Sequence, residues 1–507
     1  MSVVDRQDAI RPILVLTFTA YLLVILLWIV HKDIVQATLI SSLAMFLFAV
    51  YGHAHYGMRL LIKSLQEPLG FEVQTPDLYL PLHALLLPVW IGIFLFGLWI
   101  IRRVGSKRDT LTWLFASTAL VLIIVPAWKI IRYRDVWFSE FETTSHNPSA
   151  PISSTENPGS EALPDIYYII LDAYGREDIL QEFYSFDNSQ FVEALEEDGF
   201  FVAGRSKSNY SNTIISLASS LNMHYLDELI EMPEDRTLCR FQLIQLIHNS
   251  EILHILKENG YRIIAFSSGY LSTGLKDADI YIDFNESGAN SFESMIFRFS
   301  AARPVLDILS FFTDSVEYPG YASHRDRINF IFDGLPDLAD LTGPKFVFAH
   351  ITAPHPPFVL GPEGEAMKPQ YPYTDWDGDA FPGTEQEYLQ GYIDQISYVN
   401  SSLIRVIDSL LVESGNPPII ILQGDHGPRS QVEWKSPSDD AIREAMGILN
   451  AYHFPGVEQD VFHDEITPVN TFRLLTNSYF NMDYELLSDK SYFSSVGCQG
   501  WFMDYPD

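Results

Sequence analysis

The sequence has few cysteines and few basic residues, and each shortage excludes a class of protein. Its 507 residues include only two cysteines, Cys239 and Cys498, too few for a disulfide scaffold or a cysteine-rich zinc module. The two residues can pair once across a long loop or remain as buried thiols. The 32 Lys and Arg are outnumbered by 65 Asp and Glu, which gives a net charge of −33. Because so acidic a surface repels phosphate backbones, nucleic-acid binding is excluded.

The negative charge is concentrated in one part of the chain. Residues 1–134 hold 12 basic and 7 acidic side chains, a net charge of +5, whereas the other 373 residues hold 20 and 58, a net charge of −38. Between the two parts, a stretch rich in Ser, Thr, Pro and Asn has no periodic apolar face, as is typical of a flexible linker. The sequence therefore predicts a membrane domain at 1–134, a linker at 135–163 and a C-terminal α/β domain at 164–507.

The membrane prediction depends on four apolar stretches: 12–30, 34–51, 80–101 and 111–131. Each is about 18–22 residues long, close to the ~20 residues that cross the hydrocarbon core of a bilayer. One cleaved signal peptide does not explain four such stretches, so we predict about four transmembrane helices. The densest basic cluster, at 102–108, places the C-terminal domain outside the cell, but the full count of basic residues favours neither side.

Short apolar runs in the C-terminal part alternate with amphipathic patterns. Four runs predict strands that are buried on both faces: 165–171, 261–268, 345–351 and 418–424. Helical patterns lie between them, near 188–198, 240–258 and 386–412. The alternation predicts an α/β fold with a mostly parallel central sheet flanked by helices. Since ligands bind such sheets beyond the carboxyl ends of the strands, functional residues are expected there.

Two of the predicted strands end in side chains that are typical of metal sites. Asp172 follows the first strand, and Asp425 and His426 follow the last one. A single aspartate of this kind is more often a helix cap or a turn residue. Together at one sheet edge, however, carboxylates and an imidazole suit zinc, or manganese among the harder ions, with magnesium as a further candidate.

A hydroxyl group is the next candidate. Thr213 follows a polar turn and opens an apolar helix within 208–222, and the N–H groups at a helix N-terminus favour a phosphate or an oxyanion. Coordination to a divalent cation would lower the pKa of this hydroxyl and make it a nucleophile. The alternative is a capping threonine without chemistry, and Ser208, Ser211 and Ser216 are competing hydroxyls.

A rigid turn and a long loop follow the strand predicted at 345–351. The turn holds His355 among prolines, where a histidine can contact a transferred group or protonate a leaving oxygen. His350, inside the strand, is interpreted as a core histidine. The loop at 361–384 has no periodicity, and loops of this length are often lids or binding loops. Four aromatic residues in it are candidates for stacking on a substrate: Tyr371, Tyr373, Trp376 and Phe381.

These pieces, in this order, resemble the sulfatase-like branch of the alkaline phosphatase superfamily. The resemblance is greatest to membrane-anchored lipoteichoic acid synthases and lipid A phosphoethanolamine transferases, and it covers roughly residues 164–475. It is found in the segments YYIILDAYGR, NYSNTIISLASSLN, TAPHPPF and LQGDHG. The resemblance implies that Asp172, Thr213, Asp425 and His426 hold one or more divalent cations. It also implies that Thr213 is the nucleophile and that His355 contacts the phosphate group of the substrate.

Three features separate the chain from these relatives. The transferases usually have Glu where this chain has Asp172, and they usually have five transmembrane helices where four are predicted here. Formylglycine sulfatases need a Cys or Ser in a motif with Pro or Ala that ends in Arg. The sequence around Thr213 has no such motif, so sulfate-ester hydrolysis through formylglycine is excluded.

The resemblance implies a metal-dependent transferase in the cell membrane, with several membrane passes and an extracytoplasmic catalytic domain. Such an enzyme moves a phosphoglycerol or phosphoethanolamine headgroup from a phospholipid to a hydroxyl of a lipid or glycan, through a phosphothreonine. A phosphodiesterase, phosphatase or sulfatase-like hydrolase with the same site is the alternative, and a non-catalytic binding module is a third interpretation. The sequence leaves the headgroup, the acceptor, the native cation and the oligomeric state open.

Overall fold

The structure is a computed structural model that describes most of the chain. It describes residues 6–69, 79–105, 108–132, 163–230, 236–284, 288–313, 316–414, 416–494 and 503–504. The predicted linker at 135–163 lies outside these residues except for Leu163, and Cys498 also lies outside them.

The chain begins with four long helices. They are α1 (Arg6–His31), α2 (Ile34–Leu69), α3 (Tyr79–Arg103) and α4 (Arg108–Arg132). Three of them contain segments long and apolar enough to cross a membrane: Ala9–His31, Ile34–Ile62 and Leu80–Arg103. In α4 the apolar segment found among the described residues is shorter, Thr112–Val121. Three of the predicted spans are therefore helices of sufficient length, and the fourth span stays a prediction.

The C-terminal domain, from residue 163 onward, contains twelve further α-helices in its described part. They are α5 (Glu177–Tyr184), α6 (Ser189–Glu197), α7 (Thr213–Asn222), α8 (Leu226–Leu229), α9 (Arg236–His248), α10 (Glu251–Glu258), α11 (Ser291–Phe299), α12 (Arg303–Phe312), α13 (Tyr321–Gly334), α14 (Glu385–Glu413), α15 (Asp439–Met446) and α16 (Pro468–Phe480). Its strands are β1 (Ile166–Leu171), β2 (Phe201–Val202), β3 (Arg262–Phe266), β4 (Ile280–Ile282), β5 (Lys345–Ile351), β6 (Ile419–Gly424), β7 (Asn450–His453), β8 (Tyr492–Phe493) and β9 (Met503–Asp504).

Seven strands form a mixed, mostly parallel sheet in the order β2-β7-β6-β1-β5-β3-β4. The four strands predicted from the sequence are β1, β3, β5 and β6, and they lie side by side and parallel at its centre. The shorter strands β2 and β7 extend one side, where β7 pairs antiparallel with β6. The predicted α/β fold with a mostly parallel sheet is confirmed.

The sheet is buried on both faces because helices cover each side. Alternate residues of β1 point to opposite faces: Tyr167, Ile169 and Leu171 join one apolar core, and Ile166, Tyr168 and Ile170 join the other. The first core also takes in α13 and α14, and the second takes in α7, α10 and α16. Burial on both faces explains why the strands appear in the sequence as continuous apolar runs rather than as alternating ones.

One helical pattern divides into two helices. The region predicted near 240–258 contains α9, which ends at His248, and α10, which begins at Glu251. The residue before α10, Ser250, has an extended backbone, and this breaks the helix because extended dihedrals cannot continue the helical ladder. In α9, Cys239 is disulfide-bonded, so the interpretation of two buried free thiols is wrong for this residue.

The C-terminal domain contacts one end of the membrane helices. The contacts join Arg11 of α1 to Glu293, the Phe48 carbonyl of α2 to the N–H of Ala301 at 2.8 Å, and His83 Nε2 of α3 to Asp307 Oδ2 at 2.7 Å. They fall near the N-termini of α1 and α3 and at the middle of the α2 span. The turn between α1 and α2, and the Arg102–Arg103 end of α3, therefore lie at the opposite end.

Candidate active site

The strand register brings the predicted metal-binding residues together. In β1, Leu171 is aligned with Ile351 of β5 and with Gly424 of β6, so the residues that follow β1 and β6 lie next to each other at the carboxyl edge. His426 Nε2 is 3.3 Å from Asp172 Oδ1 and 3.7 Å from Asp425 Oδ2. All three side chains are buried. The expectation that they lie close together is met by the geometry, and their role as ligands stays a prediction.

Backbone contacts hold the Asp425-His426 pair in one orientation. The N–H groups of Ala173 and His426 donate to Asp425 Oδ1 at 3.2 and 3.0 Å. His426 Nδ1 lies 2.9 Å from the carbonyl oxygen of Gly427, which can only accept, so Nδ1 carries the proton and Nε2 presents a lone pair. Such an outer hydrogen bond fixes the tautomer of a metal-binding histidine. At Gly427 a β-carbon would overlap the carbonyl oxygen of Glu444, so the turn requires glycine.

His350 belongs to the same cluster, although the sequence suggested an ordinary core histidine. Its Nδ1 is hydrogen-bonded to Thr273 Oγ1 at 2.8 Å, and its Nε2 lies 3.6 Å from Asp172 Oδ2. The sequence offered no signal for this position, because His350 lies within an otherwise apolar strand. The interpretation of His350 as a satisfied core residue is wrong for Nε2, which has no hydrogen-bond partner in the described part of the chain.

The cluster has the donor set of a divalent-cation site. Two groups of three residues have ligand atoms within 4.8 Å of one another, Asp172-His355-His426 and Asp172-His350-Asp425. Within the described residues, buried Asp172 Oδ1, Asp425 Oδ2 and His350 Nε2 lack hydrogen-bond partners. Leaving several buried polar atoms unsatisfied is costly, and a bound cation removes that cost. The donors therefore fit one or more divalent metal ions.

Electrostatics at Asp172 favour the ionised form that binds a cation. Burial acts to raise the pKa of this carboxyl group, but the imidazoles of His355, His350 and His426 outweigh burial and hold the pKa well below its usual range. An acid that stays ionised inside the protein is available as a ligand without first losing a proton.

Thr213 lies at the edge of this cluster. It is the first residue of α7, and its Oγ1 is 3.3 Å from His426 Nε2. The preceding residue, Asn212, has an extended backbone and makes no side-chain capping hydrogen bond. Thr213 is also only partly buried, so a substrate can approach it. A hydroxyl and the positive end of a helix thus meet beside the candidate ligands.

Two of the three competing hydroxyls face other partners, and the third is buried. Ser208 Oγ points to Met446 Sδ at 3.8 Å, and Ser211 Oγ donates to the Ser494 carbonyl at 3.1 Å. Ser216 lies buried one turn along α7. Of these four hydroxyls, that of Thr213 is the one that contacts a candidate ligand, and its role as the nucleophile stays a prediction.

His355 lies next to Asp172 and His426. Its N–H donates to the Asp172 carbonyl at 3.0 Å, and its side-chain Nδ1 donates to the Pro356 carbonyl at 2.5 Å. Nε2 therefore faces the site, 3.5 Å from Asp377 Oδ2. Burial acts to lower the pKa of His355, but the nearby carboxylates Asp172 and Asp377 outweigh burial and raise the pKa.

Two residues that the sequence did not single out complete the site. Asp377 comes from the loop at 361–384, and the hydroxyl of Tyr388 donates to its Oδ1 at 2.7 Å. Arg429 is buried; its Nη1 is 3.6 Å from Asp377 Oδ2, and its Nη2 donates to the Ser211 carbonyl. Arg429 lies three residues after His426, and this closeness in sequence to the Asp-His pair is the one feature from which its place in the site could have been predicted. Its guanidinium links the loop to the segment that presents Thr213.

Comparison with known proteins identifies the family of the chain. The family model described as Sulfatase matches residues 164–474, which is more than half of the chain and includes every candidate residue above. The chain belongs to the sulfatase family. It is therefore an enzyme of the sulfatase-like fold.

Solved structures similar to this sulfatase-family enzyme include a periplasmic domain and a soluble domain of two bacterial proteins. The periplasmic domain of EptC from Escherichia coli is 14% identical, with 68% of this chain and 93% of that chain covered and a TM-score of 0.39. The soluble domain of lipooligosaccharide phosphoethanolamine transferase A from Neisseria meningitidis is 12% identical, with 63% and 89% covered and a TM-score of 0.39. None of the curated proteins compared with the chain matches it.

The aromatic residues of the loop at 361–384 have different surroundings in this sulfatase-family enzyme. Tyr371 and Phe381 pack into the core beside Tyr388, so they do not face a substrate. Tyr373 lies near His324, with its hydroxyl 3.2 Å from Nδ1. Trp376 contacts Tyr56 of α2, with ring centroids 5.8 Å apart. The loop therefore links the active site to a membrane helix.

Arg429→Lys is expected to lower turnover roughly 100-fold in this sulfatase-family enzyme, because a small misplacement of reacting groups has about that effect. An ammonium group cannot hold both Asp377 and the Ser211 carbonyl as the planar guanidinium does. Steady-state kinetics with metal analysis checks this, since metal content should not change. Arg405→Lys, on the surface of α14, is the matched control. Full activity of Arg429→Lys would show that Arg429 does not position the segment.

Proposed function

We propose that the enzyme transfers a phospho-headgroup of the phosphoglycerol or phosphoethanolamine type from a phospholipid to a hydroxyl of a lipid or glycan. The transfer would proceed through a phosphothreonine at Thr213. The observation on which this proposal rests is the position of the Thr213 hydroxyl, 3.3 Å from His426 Nε2 at the start of α7.

In the first half-reaction, the Thr213 oxygen attacks phosphorus and the bond from phosphorus to the diacylglycerol oxygen breaks. In the second, the hydroxyl of the acceptor attacks phosphothreonine and the Thr213 oxygen leaves. Asp172, Asp425, His426 and Thr213 would hold a divalent ion, with His350 as an additional candidate ligand. When bound, such an ion lowers the pKa of a coordinated hydroxyl and stabilises charge on phosphoryl oxygens. Zinc or manganese suits these donors best, with magnesium as a further candidate.

His355 is suited to handle the proton of each half-reaction. Its raised pKa favours a protonated Nε2, which can give its proton to the departing diacylglycerol oxygen, while the proton of Thr213 leaves to solvent. In the second half-reaction, neutral His355 takes the proton of the acceptor hydroxyl, and Thr213 regains a proton from solvent. One residue thus acts as acid and then as base.

The location of the site supports a lipid substrate. Asp377, which faces His355, is adjacent in sequence to Trp376, and Trp376 contacts Tyr56 of α2. The carboxyl edge of the sheet is therefore the edge nearest to the membrane helices. At this position a bilayer would present its phospholipid headgroups to the active site.

Two observations support an extracytoplasmic domain. Cys239 is disulfide-bonded, and disulfides persist mainly in oxidising compartments. The C-terminal domain also contacts the ends of the membrane helices opposite to Arg102 and Arg103, and basic residues at membrane-helix ends favour the cytoplasmic side. We therefore place the active site at the outer face of the cell membrane.

Transfer and hydrolysis share the first half-reaction, so a direct assay must separate them. Full-length enzyme is incubated with phospholipid labelled in the headgroup, with and without a glycan or glycolipid acceptor and a divalent cation. We expect diacylglycerol release together with label on the acceptor. Release of free phospho-headgroup, unaffected by acceptor, would replace the transferase by a phosphodiesterase. An enzyme that releases no diacylglycerol from either headgroup class would contradict the proposed donor.

A further inference from the structure

Helix α12 has its polar face buried and an apolar face exposed. Outward-facing apolar side chains recur along it at the spacing of one helix face: Val305, Ile308, Leu309 and Phe312. Phe312 is 77% exposed. The buried face instead contains Arg303, Asp307 and Ser310. A helix at a water-exposed surface has the reverse arrangement. Exposure of this apolar face to water is therefore unfavourable.

The buried polar face is fully engaged with a membrane helix and with its own domain. Asp307 Oδ2 accepts from Arg303 Nε at 3.0 Å and lies 2.7 Å from His83 Nε2 of α3. Asp307 Oδ1 accepts from the Tyr318 hydroxyl at 2.7 Å. The other nitrogen of His83 is hydrogen-bonded to Tyr51 of α2 at 2.7 Å. This network holds α12 against α2 and α3 in one orientation, with the apolar face pointing away from them.

The segment that joins α11 to α12 contacts the middle of the candidate span of α2. The N–H of Ala301 donates to the Phe48 carbonyl, and Phe48 lies about 21 Å along the axis of α2 from Ile34, where the span begins. That distance is shorter than the ~30 Å thickness of a hydrocarbon core. One turn later in α2, Gly52 lets the backbone of Phe299 approach, since a β-carbon there would overlap it. The contact is therefore made inside the span of α2.

We propose that α12 is a membrane-embedded element of the C-terminal domain, whose apolar face inserts among phospholipid acyl chains beside α2 and α3. The occupant of this face is the bilayer, because α12 packs on α3 and the neighbouring helices also expose apolar residues within their candidate spans. Phe46 of α2 and Leu85 and Val89 of α3 are exposed apolar residues within the candidate spans. An amphipathic helix with aromatic and aliphatic residues on one face is suited to the boundary of the acyl chains.

Depth-dependent fluorescence quenching tests this insertion directly. Full-length enzyme carrying Phe312→Cys is labelled with a small thiol-reactive fluorophore and reconstituted into nanodiscs of phosphatidylcholine, with or without bromine on the acyl chains. Labelling is selective, because Cys239, the one cysteine in the described part, is disulfide-bonded. We expect brominated lipid to remove most of the fluorescence. Leu309→Cys, one turn earlier on the same face, provides a second site if the first variant folds poorly.

Val412→Cys is the matched control. Val412 is an apolar residue that is 83% exposed near the end of α14, and the chain enters β6 shortly afterwards, so it lies at the sheet edge opposite to the active site. Brominated lipid should leave its fluorescence unchanged. Equal quenching at both positions, or none at Phe312→Cys and Leu309→Cys, would overturn the proposal. The result does not depend on which ester the enzyme cleaves, so it stands or falls separately from the proposed function.

Discussion

Thr213→Ala is expected to lower turnover by at least about 10⁴-fold, because loss of a covalent nucleophile removes the whole two-step path. Asp172, Asp425, His426 and His350 remain in the variant, so its metal content should stay near that of the wild-type enzyme. The measurement is diacylglycerol release from labelled phospholipid, with elemental analysis of the same preparation. Mass spectrometry of the wild-type enzyme adds a direct test, because phosphoglycerol, phosphoethanolamine and bare phosphate on Thr213 differ in mass.

Two variants act as controls for this result. Ser216→Ala removes a hydroxyl one turn along α7 and should leave turnover near the wild-type rate. Thr213→Ser keeps a hydroxyl at the start of the helix and should retain part of the activity. If Thr213→Ala kept most of the activity, the assignment of the nucleophile would be wrong, whatever the metal content showed.

Asp425→Asn is expected to remove both the bound cation and the activity. Asparagine keeps the oxygen that accepts from the N–H groups of Ala173 and His426, so the turn should still form. The atom facing the cluster, however, loses its negative charge. Loss of a charged carboxylate ligand, unlike loss of the neutral Thr213 hydroxyl, should weaken binding by more than the about 10–100-fold expected for the loss of an outer partner. Elemental analysis and turnover of the full-length enzyme measure both effects.

Unfolding in the presence of a chelator makes this test independent of activity. An ion present at about 100 times its dissociation constant stabilises the folded state by about 2.7 kcal/mol. A chelator should therefore lower the free energy of unfolding of the wild-type enzyme and have little effect on Asp425→Asn. Asp394→Asn is the control and should behave as the wild type does. Asp394 lies on the surface of α14 and accepts a hydrogen bond from Gln390. Wild-type metal content in Asp425→Asn would exclude Asp425 as a ligand.

The sheet and part of the site could be predicted because both follow from local sequence. A strand buried on both faces appears in the sequence as a continuous apolar run, as β1 and β6 do. A helix instead shows apolar residues that recur every three or four positions. Residues directly after such strands must lie at one edge, since parallel strands end on the same side. For this reason Asp172, Asp425 and His426 could be expected to meet before any coordinates were known.

The remaining site residues depend on contacts that no local pattern encodes. His350 reaches Asp172 from within a strand whose other residues are core. Asp377 lies in a long aperiodic loop, and its position beside His355 is set by the fold of that loop against Tyr388. Arg429 acts through a backbone carbonyl at Ser211, more than 200 residues earlier in the chain. Contacts at such sequence separations follow only from the tertiary structure.

The orientation of the segment containing α11 and α12 could not be predicted from local sequence either. Its apolar residues at helical spacing would suit the core of the domain as well as they suit a bilayer. Only the placement of Asp307 against His83 determines which face is turned outward. The three long apolar helices, by contrast, could be predicted from length and hydropathy alone.

The contact between Asp307 and His83 makes the order of biogenesis important. The two residues are 224 positions apart, and during synthesis α2 and α3 leave the ribosome long before α12 does. The C-terminal domain therefore completes its folding on a surface that membrane insertion has already prepared. A truncated domain secreted without that surface would expose to water the Arg303–Asp307 pair, which is buried in the intact chain, and an apolar helix face. Preparations intended for structural or inhibitor work are better made from the intact chain in lipid than from the released domain.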